Sequence, residues 1–140
     1  MLKNLSPLLS PDLLHALASM GHGDRIVIVD AHFPGAALAR RLVRLPGVSA
    51  PQVLDAVLSV LPLDDYVPDA AFTMQVVGDA ATTPPAVVEL IASLKRHDAR
   101  APVALERNAF YAQAAEAFAI VQCGDTRTYA NMLLVKGVVQ

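Results

Sequence analysis

The 140-residue sequence predicts a layered α/β domain built on a parallel or mixed sheet. Short aliphatic runs, several of them β-branched, alternate along the chain with longer segments of helical periodicity. Glycine, proline or polar residues bound these runs, as expected for turns between elements. The length suits one domain, residues 1–140, and neither an internal repeat nor a low-complexity segment interrupts it.

The first half of the chain contains a clear helix start and a clear strand. Ser10 before Pro11 and Asp12 is typical of a helix N-terminus, and Gly21 ends that helix. The following run, 26–29, is too short for a buried helix and entirely β-branched, so it predicts a strand over 25–30. The other elements predicted here are a short helix over 36–42, a strand over 43–45, and a helix that starts at 49–51 and has its apolar face up to Leu61.

The second half continues the alternation. The predicted elements are a strand over 72–77, a helix over 86–97, a strand over 103–106, a helix over 110–118, and strands over 119–123 and 132–135. The pattern does not give the order of the strands in the sheet.

The composition is more apolar than that of an ordinary soluble monomer. Hydrophobic residues make up 54% and charged residues 17%, with a mean hydropathy of +0.44. Because a chain of this size cannot bury so much apolar surface alone, we expect a substantial subunit interface. No uncharged apolar window reaches about 18 residues, so a membrane span is not expected. The net charge of −2, with basic residues concentrated only at 40, 41 and 44, gives no support for nucleic-acid binding.

We expect a cytoplasmic protein. Residues 1–7 lack the long apolar core of a signal peptide, and a single cysteine, Cys123, cannot form an internal disulfide. Cys123 lies within an apolar strand and is interpreted as a buried residue without a catalytic role.

The strand over 25–30 has titratable groups at both ends. Gly21 and Gly23 flank His22, whose side chain can exchange a proton near neutral pH; the alternative is a histidine that merely ends the helix. Asp30 follows the strand, where open α/β sheets often bind ligands, although it could also cap a turn. His32 would share the face of Asp30 only if the strand continued, and Pro34 argues against that, so His32 is left outside the site.

Three further polar clusters are candidates for ligand contacts. Arg107 directly follows an apolar strand and Tyr111 lies four residues on; their alternatives are a surface ion pair and an ordinary amphipathic helix residue. Tyr129 and Asn131 precede the last strand and carry groups that bind hydroxyls well, although a polar loop explains them too. Asp64 lies in a polar loop after Pro62. From its pattern alone, this loop is interpreted as a solvent-exposed helix end.

Several chemistries lack their sequence pattern. There is no glycine-rich phosphate loop, no Gly-x-Ser-x-Gly elbow and no catalytic Cys/His setting. Asp24, Asp30 and the two neighbouring histidines are suitable metal ligands, but no metal-binding spacing supports such a site. The residues therefore favour proton transfer on a small hydroxylated ligand, without a metal, a cofactor or a covalent nucleophile.

Four ordered motifs give the chain a specific resemblance. Met-Gly-His-Gly-Asp at 20–24, Asp-Ala-His-Phe-Pro at 30–34, Arg-x-x-Phe-Tyr at 107–111 and Tyr-Ala-Asn at 129–131 resemble the bacterial L-fucose mutarotase family. The sister group, the D-ribose pyranases, shares the first and last motifs. The opening Leu-Ser-Pro segment and the closing Leu-Leu-x-Lys-Gly-Val also fit, so the resemblance covers essentially the whole chain.

The resemblance implies a fold, an activity and a set of site residues. The fold would be a three-layer αβα sandwich, assembled as a homo-oligomeric ring, often a decamer, with sites near subunit boundaries. The activity would be interconversion of the α and β anomers of L-fucose by ring opening and closure, without a cofactor. His22 and Tyr111 would be the catalytic residues, and the sugar would be bound by Asp30, Asp64, Met74, Arg107, Tyr129, Ala130 and Asn131.

One departure bears on the substrate. Position 130 is alanine, as in ribose pyranases, where fucose mutarotases commonly have glycine. The longer Glu-Arg-x-x-Phe-Tyr motif is of the fucose type and favours L-fucose over D-ribose. Two other classes make different predictions: a non-catalytic monosaccharide-binding protein, which would leave anomer exchange unchanged, and a metal-dependent isomerase or aldolase, which would lose activity on chelation.

Overall fold

A computed structural model describes all residues, 1–140. It contains six strands and five helices in one α/β domain. The helices are α1 (Pro11–Ser19), α2 (Gly35–Leu38), α3 (Ala50–Leu58), α4 (Pro85–Arg96) and α5 (Arg107–Glu116). The strands are β1 (Arg25–Val29), β2 (Leu42–Leu45), β3 (Ala71–Met74), β4 (Val103–Leu105), β5 (Ala119–Cys123) and β6 (Met132–Val135).

The six strands form a mixed sheet in the order β2-β5-β1-β6-β3-β4. β2, β5 and β1 are parallel to one another, as are β3 and β4. β6 lies between β1 and β3 and is antiparallel to both. The amino end of β6 therefore lies at the same edge of the sheet as the carboxyl ends of β1, β3 and β4.

The sheet is buried on both faces, which confirms the predicted three-layer αβα sandwich. In β1, Ile26 and Ile28 pack into a core with α1, α3 and α4, whereas Val27 and Val29 pack into a second core with α2 and α5. A strand covered on both sides needs no polar alternation, which explains the uninterrupted aliphatic run. None of the helices is long and apolar enough to span a bilayer.

Several predicted boundaries are wrong, and three of them have a clear local reason. The helix predicted over 36–42 ends at Leu38, because from Arg41 onward the chain pairs with β5. The strand predicted over 72–77 ends at Met74, and a turn between Val76 and Asp79 follows it. The helix predicted from 110 begins at Arg107, because the Glu106 carboxylate accepts hydrogen bonds from the N–H groups of the first turn.

Candidate functional site

A cavity of about 190 Å³ lies where the carboxyl ends of β1, β3 and β4 meet the amino end of β6. Residues separated by a hundred positions meet there because the reversal of β6 brings its preceding loop to this edge. The cavity is lined by Asp30, His32, Phe33, Met74, Arg107, Tyr111, Thr128, Tyr129 and Asn131.

Asp30 is the buried acid of the cavity, with only 4% of its surface exposed. Its Oδ1 accepts a hydrogen bond from the backbone N–H of His32 (2.9 Å), and its own N–H donates to Asn131 Oδ1 (3.0 Å). Desolvation raises the pKa of the Asp30 carboxyl, and the hydrogen bond from His32 only partly offsets this effect. Oδ2 accepts no hydrogen bond within the chain, so Asp30 keeps one oxygen for a ligand.

The side chains of Arg107 and Tyr111 form another part of the cavity wall. The guanidinium of Arg107 lies 4.7 Å from the ring centre of Tyr111 and donates to its hydroxyl (3.4 Å). The Tyr111 ring in turn meets Phe33 edge-on, with centroids 5.0 Å apart. Phe33 and Met74 are both buried, so this wall combines polar donors with an apolar surface.

The loop before β6 holds Tyr129 in a left-handed conformation, with φ at 64°. Such a conformation costs about 1–3 kcal/mol for a residue with a side chain and persists only where surrounding contacts impose it. The Tyr129 hydroxyl accepts from the N–H of Val77 (3.1 Å), and its carbonyl accepts from the N–H of Asn131 (2.8 Å). Ala130 is fully buried in the core, so its side chain does not line the cavity.

Side chains beneath the cavity support its loops. Gln122 on β5 donates to the carbonyls of Asp30, Ala31 and Phe33, the shortest bond being 2.7 Å. The buried Asp125 carboxylate accepts from the guanidinium of Arg127 (2.9 and 3.0 Å), and these hydrogen bonds lower the pKa of Asp125 to about 2. Arg127 also pairs with Glu89 on α4.

His22 and Asp64 lie together at the opposite end of β1. His22 Nε2 is 3.1 Å from Asp64 Oδ1, and its ring is 5.5 Å from that of Tyr66. Asp64 is nearly buried, whereas the His22 side chain is 46% exposed. The backbone N–H of Tyr66 and the His22 side chain lower the pKa of Asp64. The ionised Asp64 therefore fixes Nε2 of His22 and leaves the ring facing solvent.

The length of β1 separates this pair from the cavity within one chain. A five-residue strand spans about 13 Å, and His22 and Asp30 lie beyond its two ends. Asp64, rather than Asp30, is the carboxylate that contacts His22.

The structure thus brings together most, but not all, of the residues predicted for the site. Asp30, Met74, Arg107, Tyr111, Tyr129 and Asn131 line the cavity, whereas His22, Asp64 and the side chain of Ala130 do not. Sequence reasoning leaves His32 outside the site, which is wrong, and does not single out Phe33 or Thr128. The missed signal at His32 is its place two residues after Asp30, a spacing that suits a turn in which the aspartate accepts the later N–H. The chain contains no cluster of three His, Cys, Asp or Glu side chains that could hold a metal ion.

Comparison with known proteins identifies the family. The model of the RbsD / FucU transport protein family matches residues 3–139. A fucose mutarotase from Streptococcus pneumoniae, solved in complex with L-fucose, is 40% identical; the match covers 99% of this chain and 100% of that one, with a TM-score of 0.93. FucU from Bifidobacterium longum is also 40% identical, with the same coverage and a TM-score of 0.89.

A more distant structure shares the fold alone. Bacillus subtilis RbsD, solved with D-ribose, is 19% identical over the full length of both chains, with a TM-score of 0.75. The chain is therefore about twice as similar in sequence to the fucose mutarotase as to Bacillus subtilis RbsD. With a family match over nearly all of its length, the chain belongs to the RbsD/FucU family.

Proposed function

We propose that this protein is an L-fucose mutarotase, an isomerase that interconverts the α and β anomers of the free sugar. The observation that carries the proposal is the cavity at the sheet edge, which has room for one monosaccharide and is lined by Asp30, Arg107, Tyr111, Tyr129 and Asn131. Full-length similarity at 40% identity to a fucose mutarotase with L-fucose bound supports the same activity.

The lining suits a deoxy sugar. The planar donors of Arg107 and the amide of Asn131 can bind sugar oxygens, and the free oxygen of Asp30 can accept from a hydroxyl. Phe33 and Met74 add a buried apolar surface that matches the C6 methyl group of L-fucose. D-Ribose, the substrate in the alternative assignment, has no such methyl group.

The reaction needs a base for the anomeric hydroxyl and an acid for the ring oxygen. Loss of the hydroxyl proton and protonation of the ring oxygen open the ring to an aldehyde, the C1–C2 bond rotates, and the ring closes on the other face. We assign one proton transfer to Tyr111, whose hydroxyl lies in the cavity, and the other to His22. Each positioned group can contribute about 10²–10⁴-fold.

His22 cannot reach the cavity of its own chain, so we propose that a neighbouring subunit supplies it. Two exposed apolar side chains support such a contact: Tyr66, 70% exposed, lies beside His22, and Val77, 64% exposed, donates its N–H to Tyr129 at the cavity. A contact between the His22 end of one subunit and the cavity end of the next joins two different surfaces. Repetition of such a head-to-tail contact forms a ring when the rotation between subunits closes, and we propose that the protein assembles as such a ring, a decamer.

Asp64 would contact the sugar across the same subunit interface as His22. Its side chain contacts His22 and does not line the cavity of its own chain, so the neighbouring subunit would supply both residues. Ala130 would contribute through its backbone, since its side chain is in the core.

We also propose a cytoplasmic location, because the single Cys123 is free and buried, as is usual in a reducing compartment.

The decisive experiment is saturation-transfer NMR of the anomeric protons of L-fucose. Wild-type protein should accelerate α–β exchange, with and without EDTA, and D-ribose should exchange more slowly. Binding of L-fucose without acceleration would instead indicate a non-catalytic sugar-binding protein, and loss of activity in EDTA would indicate a metal-dependent enzyme.

Mixed oligomers test the contribution of His22 from a neighbour. His22→Ala and Asp30→Asn should each reduce acceleration by about 10²-fold. A co-expressed mixture should recover part of it, because some interfaces then combine an intact cavity with an intact His22. His15→Ala, on the exposed face of α1, is the matched histidine control. No recovery in a mixed oligomer would overturn the assignment of His22 to a neighbour's cavity.

A further inference from the structure

The cavity contains an imidazole that none of the roles above uses. His32 lines the cavity beside Asp30 and belongs to the same chain as Arg107 and Asn131, unlike the His22 that the proposed function assigns to a neighbour. The loop around it is fixed at two points. Its N–H donates to Asp30 Oδ1 (2.9 Å), and the N–H of Ala31 donates to the carbonyl of Asp125 (2.8 Å).

The hydrogen bond of the His32 ring determines its tautomer. Nε2 lies 2.9 Å from the carbonyl oxygen of Thr126, which can only accept a hydrogen bond. Nε2 therefore carries the proton, and in the neutral ring Nδ1 has the free lone pair. No group of the chain donates to Nδ1, so it remains available as an acceptor.

Acceptors are scarce among the cavity side chains, whereas donors are plentiful. Arg107 and the Asn131 amide are donors, and the hydroxyls of Tyr111 and Tyr129 already accept from Arg107 and from the N–H of Val77. One oxygen of Asp30 already accepts from the N–H of His32. A sugar brings several hydroxyl protons, each of which loses its hydrogen bond to water on binding and needs an acceptor.

We infer that His32 is a specificity-determining residue of the sugar site, whose Nδ1 accepts a hydrogen bond from one ring hydroxyl of the bound sugar. This inference rests on the proposed function, since it concerns the same cavity. Nδ1 and Asp30 Oδ2 can only accept, whereas the hydroxyls of the cavity can also donate, so these two atoms distinguish a hydroxyl from a hydrogen on the sugar ring. The role is binding and selection; proton transfer stays with the other groups.

The test is a binding cycle that changes the protein and the sugar together. Affinities of wild type and His32→Ala are measured by calorimetry for L-fucose and for three monodeoxy analogues, which lack the hydroxyl at C2, C3 or C4. Loss of one neutral hydrogen bond should weaken L-fucose binding about 3- to 10-fold in His32→Ala. One analogue should lose affinity for wild type but bind His32→Ala as well as L-fucose does, and it identifies the hydroxyl.

A second variant separates this role from support of the loop. His32→Phe keeps the ring shape but has neither nitrogen, so it should abolish the same single deoxy penalty. If the loop were merely loosened, all sugars would bind more weakly by the same factor and every deoxy penalty would remain.

The inference and the proposed function fail in different ways. Unchanged deoxy penalties in both variants, with normal binding of L-fucose by wild type, would overturn the role of His32 alone. If wild type bound no L-fucose, the proposed function would be refuted and this inference with it. His15→Ala serves as the control and should reproduce the wild-type penalties.

Discussion

A nearly buried aspartate lies at each end of β1, and the pKa values of the two carboxyl groups are shifted in opposite directions. At the cavity end, desolvation raises the pKa of Asp30, which has one oxygen without a partner. At the other end, the backbone N–H of Tyr66 and the side chain of His22 lower the pKa of Asp64. Desolvation outweighs the hydrogen bonds at Asp30, whereas the hydrogen bonds outweigh desolvation at Asp64, so the balance of these two effects sets the direction of each pKa shift.

This difference suits different tasks. A buried carboxyl with one oxygen that accepts no hydrogen bond from the chain is suited to contact a ligand hydroxyl in the cavity. A carboxylate kept ionised by hydrogen bonds is suited to orienting a neighbour, and Asp64 orients an exposed histidine. At the cavity end of β1, Asp30 is arranged to bind a sugar. At the other end, Asp64 orients His22 for contact with a neighbouring subunit.

The largest expected effect is the difference in activity between variants of the two aspartates. Asp30→Asn should reduce the acceleration of fucose anomer exchange by about 10²-fold, because the neutral amide loses the charged hydrogen bond that Asp30 Oδ2 can accept from a sugar hydroxyl. Asp64→Asn should cost less, since its amide oxygen can still accept from His22. Saturation-transfer NMR measures both variants.

Sugar binding is the control for this pair. Gel filtration should first show that Asp64→Asn forms the same oligomer as wild type. The variant should then bind L-fucose with nearly the wild-type affinity. Equal losses of activity in the two variants would contradict the division of tasks between the ends.

A second effect, of intermediate size, compares two glycines. A Cβ on Gly137 would lie 2.5 Å from the carbonyl oxygen of Leu63 and 2.8 Å from the Cα of Asp64, which are backbone atoms that cannot move aside cheaply. Gly137→Ala should therefore lower the free energy of unfolding by about 1–3 kcal/mol. Gly35→Ala at the cavity end would meet mainly the flexible end of Gln122 (2.8 Å) and should cost less.

Urea denaturation measures the two free energies, and anomer exchange reports the local consequence. Because Gly137→Ala displaces the segment that carries Asp64, it should reduce activity more than Gly35→Ala does. A larger loss of stability in Gly35→Ala would show that the loop after β1 is the more rigid of the two regions.

The smallest expected effect is the dependence of stability on pH. Asp64 has a lowered pKa, so its ionised form stabilises the fold above the ordinary value of 3.8, and this contribution is lost as the pH falls below it. Asp30 has a raised pKa, so its ionisation at neutral pH opposes folding. At pH 7, Asp64→Asn should lower Tm and Asp30→Asn should raise it.

Thermal unfolding at pH 7 and at pH 3 checks the two signs. Both differences from wild type should shrink at the lower pH, where the carboxyl groups of the unfolded chain are protonated. A rise in Tm for Asp64→Asn at pH 7 would mean that its hydrogen bonds do not favour the ionised form.

Local signals in the sequence predicted those features whose causes are local. Ser10 and Pro11 mark the start of α1, and the β-branched run identifies β1 with Asp30 at its end, all as found. The sequence predicts the start of α5 three residues too late, because Glu106 is a less common N-cap than serine or aspartate, although its carboxylate accepts two backbone hydrogen bonds.

Features that depend on pairing across the chain were beyond local patterns. The contact between His22 and Asp64 joins positions 42 residues apart, and nothing at either position indicates it. Pro34 correctly predicts that β1 does not extend to His32, but the turn after β1 itself places the His32 side chain in the cavity wall. The family resemblance implies the site residues, but only the fold shows that they lie at two different ends of β1.

The position of β6 also constrains how the protein is made. β6 is the last strand along the chain, yet it lies inside the sheet and joins the unit of β2, β5 and β1 to the unit of β3 and β4. Until residues 132–135 leave the ribosome, these two units have no strand between them and expose apolar edges. Formation of the sugar cavity and completion of the sheet are then one event, so a nascent chain that stops before β6 should be a substrate for chaperones and proteases.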